Sequence, residues 1–323
     1  MLAFTTREDL DHDDARRMAG RVLLPETDDA VARSGVRIRL MEDVDLGRVR
    51  ELRSVVRWAA DPRAFDLLRG MRDARWAVAE ASDDALAGMV GAVPLGRIGV
   101  LCHLAVRDDY RKIGLGARLS SWAVLYLRSL GAEVVRLYST RRAEGLYRSM
   151  GFRSGVPRTV YSLEAAPAGP AREEADGQRV GTLSFVDLPE LYGVDHWTYG
   201  ADRSALIFAT LRLHPGGGLL ARDSTGRIQG YLVRSAAGRV TRLGPFVAST
   251  PGVARLLLTN ALRDSDGAPV EVTVPGVVES PAHDLLREFG FEGRTDRLQM
   301  ELGPDGAIHT GLDHYGTTPY LAT

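Results

Sequence analysis

The chain has 323 residues, which is long enough for two domains of ordinary size. Its 41 basic and 42 acidic residues give a net charge of -1, which excludes a general nucleic-acid-binding surface. The single cysteine, Cys102, excludes an internal disulfide and a four-cysteine zinc site, and no apolar run reaches the roughly 20 residues of a membrane span. The first residues turn acidic too early for a secretory signal. We therefore expect a cytoplasmic protein that binds neither nucleic acid nor membrane.

From Val36 onward, segments whose apolar residues alternate as in a strand are interspersed with segments whose apolar residues have helical spacing. Residues 1–35 precede this region as an N-terminal extension. The strongest amphipathic helix is predicted at residues 115–130. The strands predicted in the first half are residues 36–40, 75–81, 85–93, 98–106, 133–139 and 156–164, and the other helices are residues 10–24, 42–56, 61–71 and 143–150.

Residues 165–180 are rich in Ala, Pro, Gly and charged residues and are predicted to be a linker. The polar residues 304–323 form a tail that is expected either to be mobile or to reach back over a cleft. Asp195, His196, Trp197 and Tyr199 are expected in a surface loop, the alternative being the lining of a substrate cleft. The strands predicted in the second half are residues 181–187, 218–223, 227–235, 240–248, 270–275 and 297–302, with helices near 189–197, 202–211, 251–262 and 282–291.

The second half repeats the first. Ala143–Phe152 aligns with Ala282–Phe291, and each copy follows a β-rich segment and precedes a closing strand. Two related domains are therefore expected at residues 36–164 and 181–303. Hairpins at the front and helical crossovers behind them predict an α/β fold class with a mixed (α+β) sheet.

The segment between Val106 and the long helix contains the most informative residues. Gly114 and Gly116 let the backbone approach a ligand, and the first N–H groups of a helix suit phosphate oxygens. Arg111 and Lys112 add positive charge beside them. An ordinary strand-to-helix loop is the alternative. The segment has neither Gly-x-Gly-x-x-Gly nor Gly-Lys-Ser/Thr, which excludes a dinucleotide fingerprint and a Walker loop.

This sequence resembles the GNAT (Gcn5-related N-acetyltransferase) superfamily. Arg111-Lys112-Ile113-Gly114-Leu115-Gly116 matches the family pattern Arg/Gln-x-x-Gly-x-Gly/Ala after the fourth strand. Leu146-Tyr147-Arg148-Ser149-Met150-Gly151-Phe152, about 30 residues further on, matches the family's Leu-Tyr-x-x-x-Gly-Phe. The resemblance covers residues 36–164, and the second half resembles a degenerate GNAT-like (YobR-like) domain in a tandem protein.

The resemblance implies binding of acetyl-CoA as cosubstrate. Its pantetheine arm would run beside the fourth strand at Leu104, Ala105 and Val106, and the Leu104 amide would polarise the thioester carbonyl. The family Asn that contacts the cofactor is replaced here by Thr140. The pyrophosphate would lie on the backbone of Arg111, Lys112, Ile113, Gly114, Leu115, Gly116 and Ala117.

Tyr147 occupies the family's general-acid position, so the resemblance implies that it protonates the departing thiolate. The alternative is a tyrosine that only packs on an amphipathic helix. In the second half the matching residue is Leu286, which has no proton to give, and residues 249–252 lack the phosphate loop. Only the first domain is therefore expected to catalyse, while the second shapes the acceptor cleft or a homodimer interface.

No general base is evident. Strand alternation puts His103 on the face opposite Val100, Cys102 and Leu104, so a buried packing histidine is favoured. Cys102 is expected to be a core residue and not a nucleophile. The scattered histidines predict no metal site.

These observations predict an acetyl-CoA-dependent N-acetyltransferase that uses direct transfer in a ternary complex. The acceptor is a small-molecule amine or a protein amine. The alternatives are a non-catalytic acyl-CoA-binding sensor and an enzyme that uses a longer acyl donor.

Overall fold

The computed structural model describes residues 30–56, 62–167, 174–175, 177–275, 280–304 and 313–316. Within these residues the chain forms one mixed sheet of 14 strands, with helices on both faces. The strands, in chain order, are β1 (Arg37–Leu40), β2 (Arg75–Glu80), β3 (Leu86–Leu95), β4 (Ile98–Val106), β5 (Val134–Ser139), β6 (Arg153–Leu163), β7 (Glu174–Ala175), β8 (Gln178–Thr182), β9 (Gly218–Arg222), β10 (Ile228–Ala237), β11 (Val240–Ala248), β12 (Val270–Pro275), β13 (Glu292–Leu302) and β14 (Asp313–Gly316).

The helices follow the predicted spacing closely because their apolar residues recur on one face. The longest buries Leu119, Trp122, Ala123 and Tyr126 against the sheet. The α-helices are α1 (Ala30–Arg33), α2 (Leu46–Val55), α3 (Pro62–Arg69), α4 (Leu115–Ser129), α5 (Glu144–Ser149), α6 (Leu188–Tyr199), α7 (Ser204–Leu213), α8 (Pro251–Arg263) and α9 (Pro281–Glu288). Among the described helices, none is long and apolar enough to cross a membrane.

The two halves exchange their closing strands. The strand order is β1-β2-β3-β4-β5-β13-β6-β12-β11-β10-β9-β8-β7, and β14 pairs with β11 beside this path. β13, which belongs to the second half by sequence, lies antiparallel between β5 and β6, and β6 pairs in turn with β12. We call residues 36–164 the first unit and residues 181–303 the second unit. The sheet of the first unit is completed by β13 from the second unit, and the sheet of the second unit is completed by β6 from the first unit.

Helices of the second half also cover the first half's sheet. Tyr199, Ala201 and Leu206 pack in one core with Trp76 and Val100. The backbone N–H of Asp202 donates to the Leu95 carbonyl at 3.1 Å. Beneath this contact the Arg203 guanidinium is paired with Asp195 and lies 3.9 Å from the centroid of the Tyr199 ring.

Several predictions differ from the structure or lie outside it, among them the linker expected at residues 165–180, which contains β7 and the start of β8. The strand expected at residues 181–187 ends at Thr182, because Ser184 and Asp187 form a capping box around a 3-10 turn. The surface loop expected around Asp195 and Tyr199 is wrong, since both lie buried in α6. The helix predicted at residues 10–24 lies outside the described residues.

Candidate active site

The site begins where β4 and β5 separate. These parallel strands pair only from Ile98 to Val100 on β4 and from Val134 to Arg136 on β5. On the other side of β4, the register with β3 shifts by a bulge that includes His103, whose φ is 54°. A bulge bends its strand and raises the local twist, so the far end of β4 turns away from β5. The opened edge is available to an extended ligand.

The bulge overturns the prediction for His103. Simple alternation puts His103 on the face opposite Cys102, but a left-handed residue breaks the alternation, and both side chains lie on the same face. His103 is buried against Phe65 and Trp76, with its Nδ1 3.1 Å from Nη1 of Arg53. Leu104 instead packs on the side of α4. The residue is a buried, hydrogen-bonded histidine, as the sequence favoured, but on the other face.

The loop before α4 exposes backbone N–H groups. Lys112 and Gly114 both have left-handed backbones, with φ of 65° and 93°. Gly114 caps α4 without a side-chain hydrogen bond, so the first N–H groups of the helix have no helical partner. Successive N–H groups in such a turn form a concave anion site. Nε of Arg111 donates to the Val106 carbonyl at 3.1 Å, which ties the loop to the end of β4.

A cavity of about 510 Å³ joins this loop to the opened strand edge. Ile113 is the one predicted site residue that does not line it, because its side chain packs against the core of the first unit. The predicted site residues that line the cavity are Leu104, Ala105, Val106, Arg111, Lys112, Gly114, Leu115, Gly116, Ala117, Thr140 and Tyr147.

Tyr147 lines the cavity from α5 and is 5% exposed. Its ring meets Phe152 edge to face, with 5.7 Å between the centroids. Burial raises the pKa of Tyr147 above its usual range, whereas the Arg297 guanidinium and the Ser120 hydroxyl act to lower it. The phenol is therefore protonated at neutral pH, and the charge of Arg297 keeps it a stronger proton donor than burial alone would.

Cys102 also lines the cavity, but its thiol is not activated. Burial raises the pKa of Cys102 to about 12, and the nearby charge of Arg53 opposes this only in part. A thiol is a poor nucleophile when it is not ionised. The site is thus unsuited to an acyl-enzyme on Cys102.

Several residues that line the cavity were not predicted from the sequence, among them Tyr138, Arg142 and Arg297. Tyr138 and Arg142 flank the predicted Thr140 and could have been found from that proximity. Arg297 lies on β13 of the second half, and no local signal links it to a site built by residues 102–147. Among the described lining residues, the charged side chains are all cationic and none is a carboxylate.

The corresponding place in the second unit is built differently. The hydroxyl of Thr250 accepts a hydrogen bond from the Val253 N–H at 3.2 Å, and Pro251 has no N–H to offer. Helix α8 therefore begins with its N-terminus already capped. The last three residues of β11, residues 246–248, pair with β14 from the tail. The last three residues of β4, which is also nine residues long, are Leu104, Ala105 and Val106. Strand β14 therefore lies where the first unit has an open edge.

Comparison with known proteins gives one family match in each half. Residues 72–154 and residues 192–310 each match a family described as an acetyltransferase (GNAT) domain. Together the two matches account for most of the chain.

Individual relatives agree with these matches. The chain is 25% identical over 202 residues to the uncharacterized N-acetyltransferase YitH of Bacillus subtilis, which covers 62% of this chain and 69% of that protein. A Pyrococcus horikoshii protein classed as an acetyltransferase superposes with a TM-score of 0.71 at 20% identity, over 90% of this chain and 96% of that one. A tandem GNAT protein from the clavulanic acid biosynthesis pathway gives a TM-score of 0.61 at 16% identity, over 84% and 99%. The structural likenesses extend over both units.

Proposed function

Because the chain belongs to the GNAT family of N-acetyltransferases, with two such domains in tandem, we propose that its first unit transfers the acetyl group of acetyl-CoA directly to a primary amine. The observation that carries this proposal is the cavity that joins the exposed N–H groups before α4 to the open edge of β4, with Tyr147 on its wall. Among the described residues of the second unit, the corresponding helix N-terminus is capped by Thr250 and the corresponding strand edge is paired with β14.

The cavity has two parts, the loop before α4 and the open edge of β4, and each suits a different part of acetyl-CoA. The pyrophosphate accepts hydrogen bonds from the backbone N–H groups between Arg111 and Ala117, with Lys112 adding positive charge. The pantetheine arm extends beside Leu104, Ala105 and Val106. The pairing of β14 with the equivalent residues of β11 supports this role, because it demonstrates that this edge of the fold accepts an extended backbone.

The transfer forms one C–N bond and breaks one C–S bond. The neutral amine attacks the thioester carbonyl, while the Leu104 N–H stabilises the negative charge that develops on the carbonyl oxygen. The thiolate of CoA then leaves and takes the phenolic proton of Tyr147. The attacking nitrogen loses its extra proton to water, and that proton balances the one given by Tyr147.

The second unit is proposed to be catalytically silent. Its helix N-terminus is capped by Thr250, its strand edge is covered by β14, and Leu286 stands where the first unit has Tyr147. Its contribution to the reaction is to complete the first unit's sheet with β13 and to cover, with α6 and α7, the face of that sheet that carries Trp76 and Val100. We place the acceptor on this face and call it the acceptor face.

The test is release of free CoA from acetyl-CoA across amines of different charge, with the acetylated product identified by mass. We expect release that depends on both substrates. A protein that binds acetyl-CoA tightly but releases no CoA with any amine is instead the acyl-CoA-binding sensor. The absence of a carboxylate base among the described lining residues favours that second candidate. Repeating the assay with longer acyl-CoA donors tests the choice of acyl group.

A further inference from the structure

We infer that the acceptor carries an anionic group, a carboxylate or a phosphate, close to its amine, and that Arg297 of the exchanged strand binds this group. The inference rests on the proposed acetyl transfer and specifies the substrate class of that same site. It follows from where Arg297 lies, from which charges surround it, and from what the reaction requires of the amine.

Strand exchange carries Arg297 to the acceptor face of the first unit. On β13, Leu298 and Met300 pack on the side of α4, so Arg297 lies with Gln299 and Glu301 on the opposite face. Glu301 accepts a hydrogen bond from Nε of Arg136 on β5 at 2.8 Å, which fixes that face as the one Arg136 shares. Arg297 is the member of this row that lines the cavity.

Arg297 acts at the reacting end of the cavity and not at the phosphate end. Arg111 and Lys112 belong to the loop before α4, where the pyrophosphate is expected. Arg297 instead is close enough to Tyr147 to influence its phenol electrostatically. A guanidinium at this position is beside the thioester and the incoming amine, and guanidinium groups bind carboxylate and phosphate through paired hydrogen bonds.

The surroundings strengthen this preference. Three more arginines lie where the two units meet. Arg158 lies 5.4 Å from the centroid of the Tyr138 ring, and Arg136 and Arg203 both lie over the ring of Tyr199. Arg203 and Arg136 are paired with the carboxylates of Asp195 and Glu301. Because the charged side chains among the described lining residues are all cationic, a polycationic acceptor would be repelled from the cavity, whereas an anionic one is attracted.

The positive charge also serves the chemistry. A cation near the acceptor lowers the pKa of its ammonium group and so raises the fraction of neutral amine. No carboxylate among the described lining residues is available to remove that proton. The other cations of the cavity, Arg142 among them, can favour the neutral amine while Arg297 holds the anionic group of the acceptor.

The experiment compares kcat/KM for matched primary amines that differ only in one substituent: a carboxylate, a phosphate, a neutral carboxamide or a second ammonium group. Rates are corrected for the fraction of free amine. We expect an anionic member to exceed its neutral partner by about 10- to 100-fold, the effect of one charged hydrogen bond. The carboxylate and phosphate arms separate the two sources of anion.

Arg297→Gln should reduce this ratio to within about 3-fold, mainly through KM for the anionic amine, and Arg297→Lys should retain part of it. Arg294→Gln is the matched control, because Arg294 is exposed on the same strand and does not line the cavity. An equal or reversed ratio in the wild type, or an unchanged ratio in Arg297→Gln, overturns the inference while acetyl transfer stands. Loss of all CoA release in the wild type would instead remove the proposed function.

Discussion

Replacing Tyr147 by Phe removes one hydroxyl from the cavity and leaves the buried ring in place. The ring is 5% exposed and packs against Phe152, and Phe preserves both features. Removing one buried hydroxyl costs on the order of 1 kcal/mol of folding free energy, so the variant remains folded. Any large change in rate must then come from the missing proton.

The expected loss is a kcat lower by about 10²–10⁴, the usual effect of a general acid. This corresponds to roughly 3–5 kcal/mol of transition-state stabilisation, at about 1.4 kcal/mol per tenfold. Affinity for acetyl-CoA should change little, because the donor is held by backbone groups of the loop and of β4. A purely packing role predicts instead a kcat within a few-fold of the wild type.

The assay is single-turnover kinetics, so that product release does not mask the chemical step. Tyr126→Phe is the matched control: this tyrosine is also buried, on α4, and its hydroxyl donates to the Asp73 carbonyl at 2.8 Å, away from the cavity. It should lose stability but keep its rate. A chemical step in Tyr147→Phe as fast as that of Tyr126→Phe would refute the general-acid role and leave water as the proton source.

Three further predictions follow from the two units. A Cβ at Gly116 would lie 3.4 Å from Leu146, in ordinary contact, so Gly116→Trp should project its ring into the cavity and weaken acetyl-CoA binding at least about tenfold without a change in Tm; unchanged calorimetric affinity would mean that the pyrophosphate lies elsewhere. Titration should give one acetyl-CoA per chain, and Leu286→Tyr should create no second activity; a stoichiometry of two would contradict the silent second unit. Burial lowers the pKa of His283, whose Nδ1 is 2.8 Å from the Tyr161 hydroxyl. The folding free energy that the neutral imidazole contributes is therefore present above about pH 6.5 and is lost as the pH falls below that value. Denaturant unfolding of His283→Gln should therefore be less sensitive to acid than the wild type, by at most about 1.4 kcal/mol per pH unit, and an identical pH dependence would exclude this residue.

Local patterns in the sequence determined the elements of the first unit and most of its cavity. Helical spacing gave α4, and period-two alternation gave β2, β3 and β4, because each pattern depends on which face of a single element is buried. The loop from Arg111 to Ala117 was recognisable because its glycines and the helix that follows them are contiguous in the chain, and Tyr147 was recognisable because Leu146–Phe152 matches a family pattern. These residues line one cavity because they lie on adjacent elements.

Only the tertiary structure decided how the two units combine. Arg297 is 150 residues from Tyr147 in the chain, and it lines the same cavity because β13 inserts between β5 and β6. Backbone pairing is nearly independent of side-chain identity, so the sequence of a closing strand does not specify which unit receives it. The face of His103 was likewise set by a bulge, whose extra residue reverses the alternation that sequence reasoning assumes. The pairing of β14 with β11 also depended on the tertiary structure. The polar tail has no apolar pattern that would predict a strand. Residues 313–316 form one because β11 offers backbone groups that an extended segment can pair with.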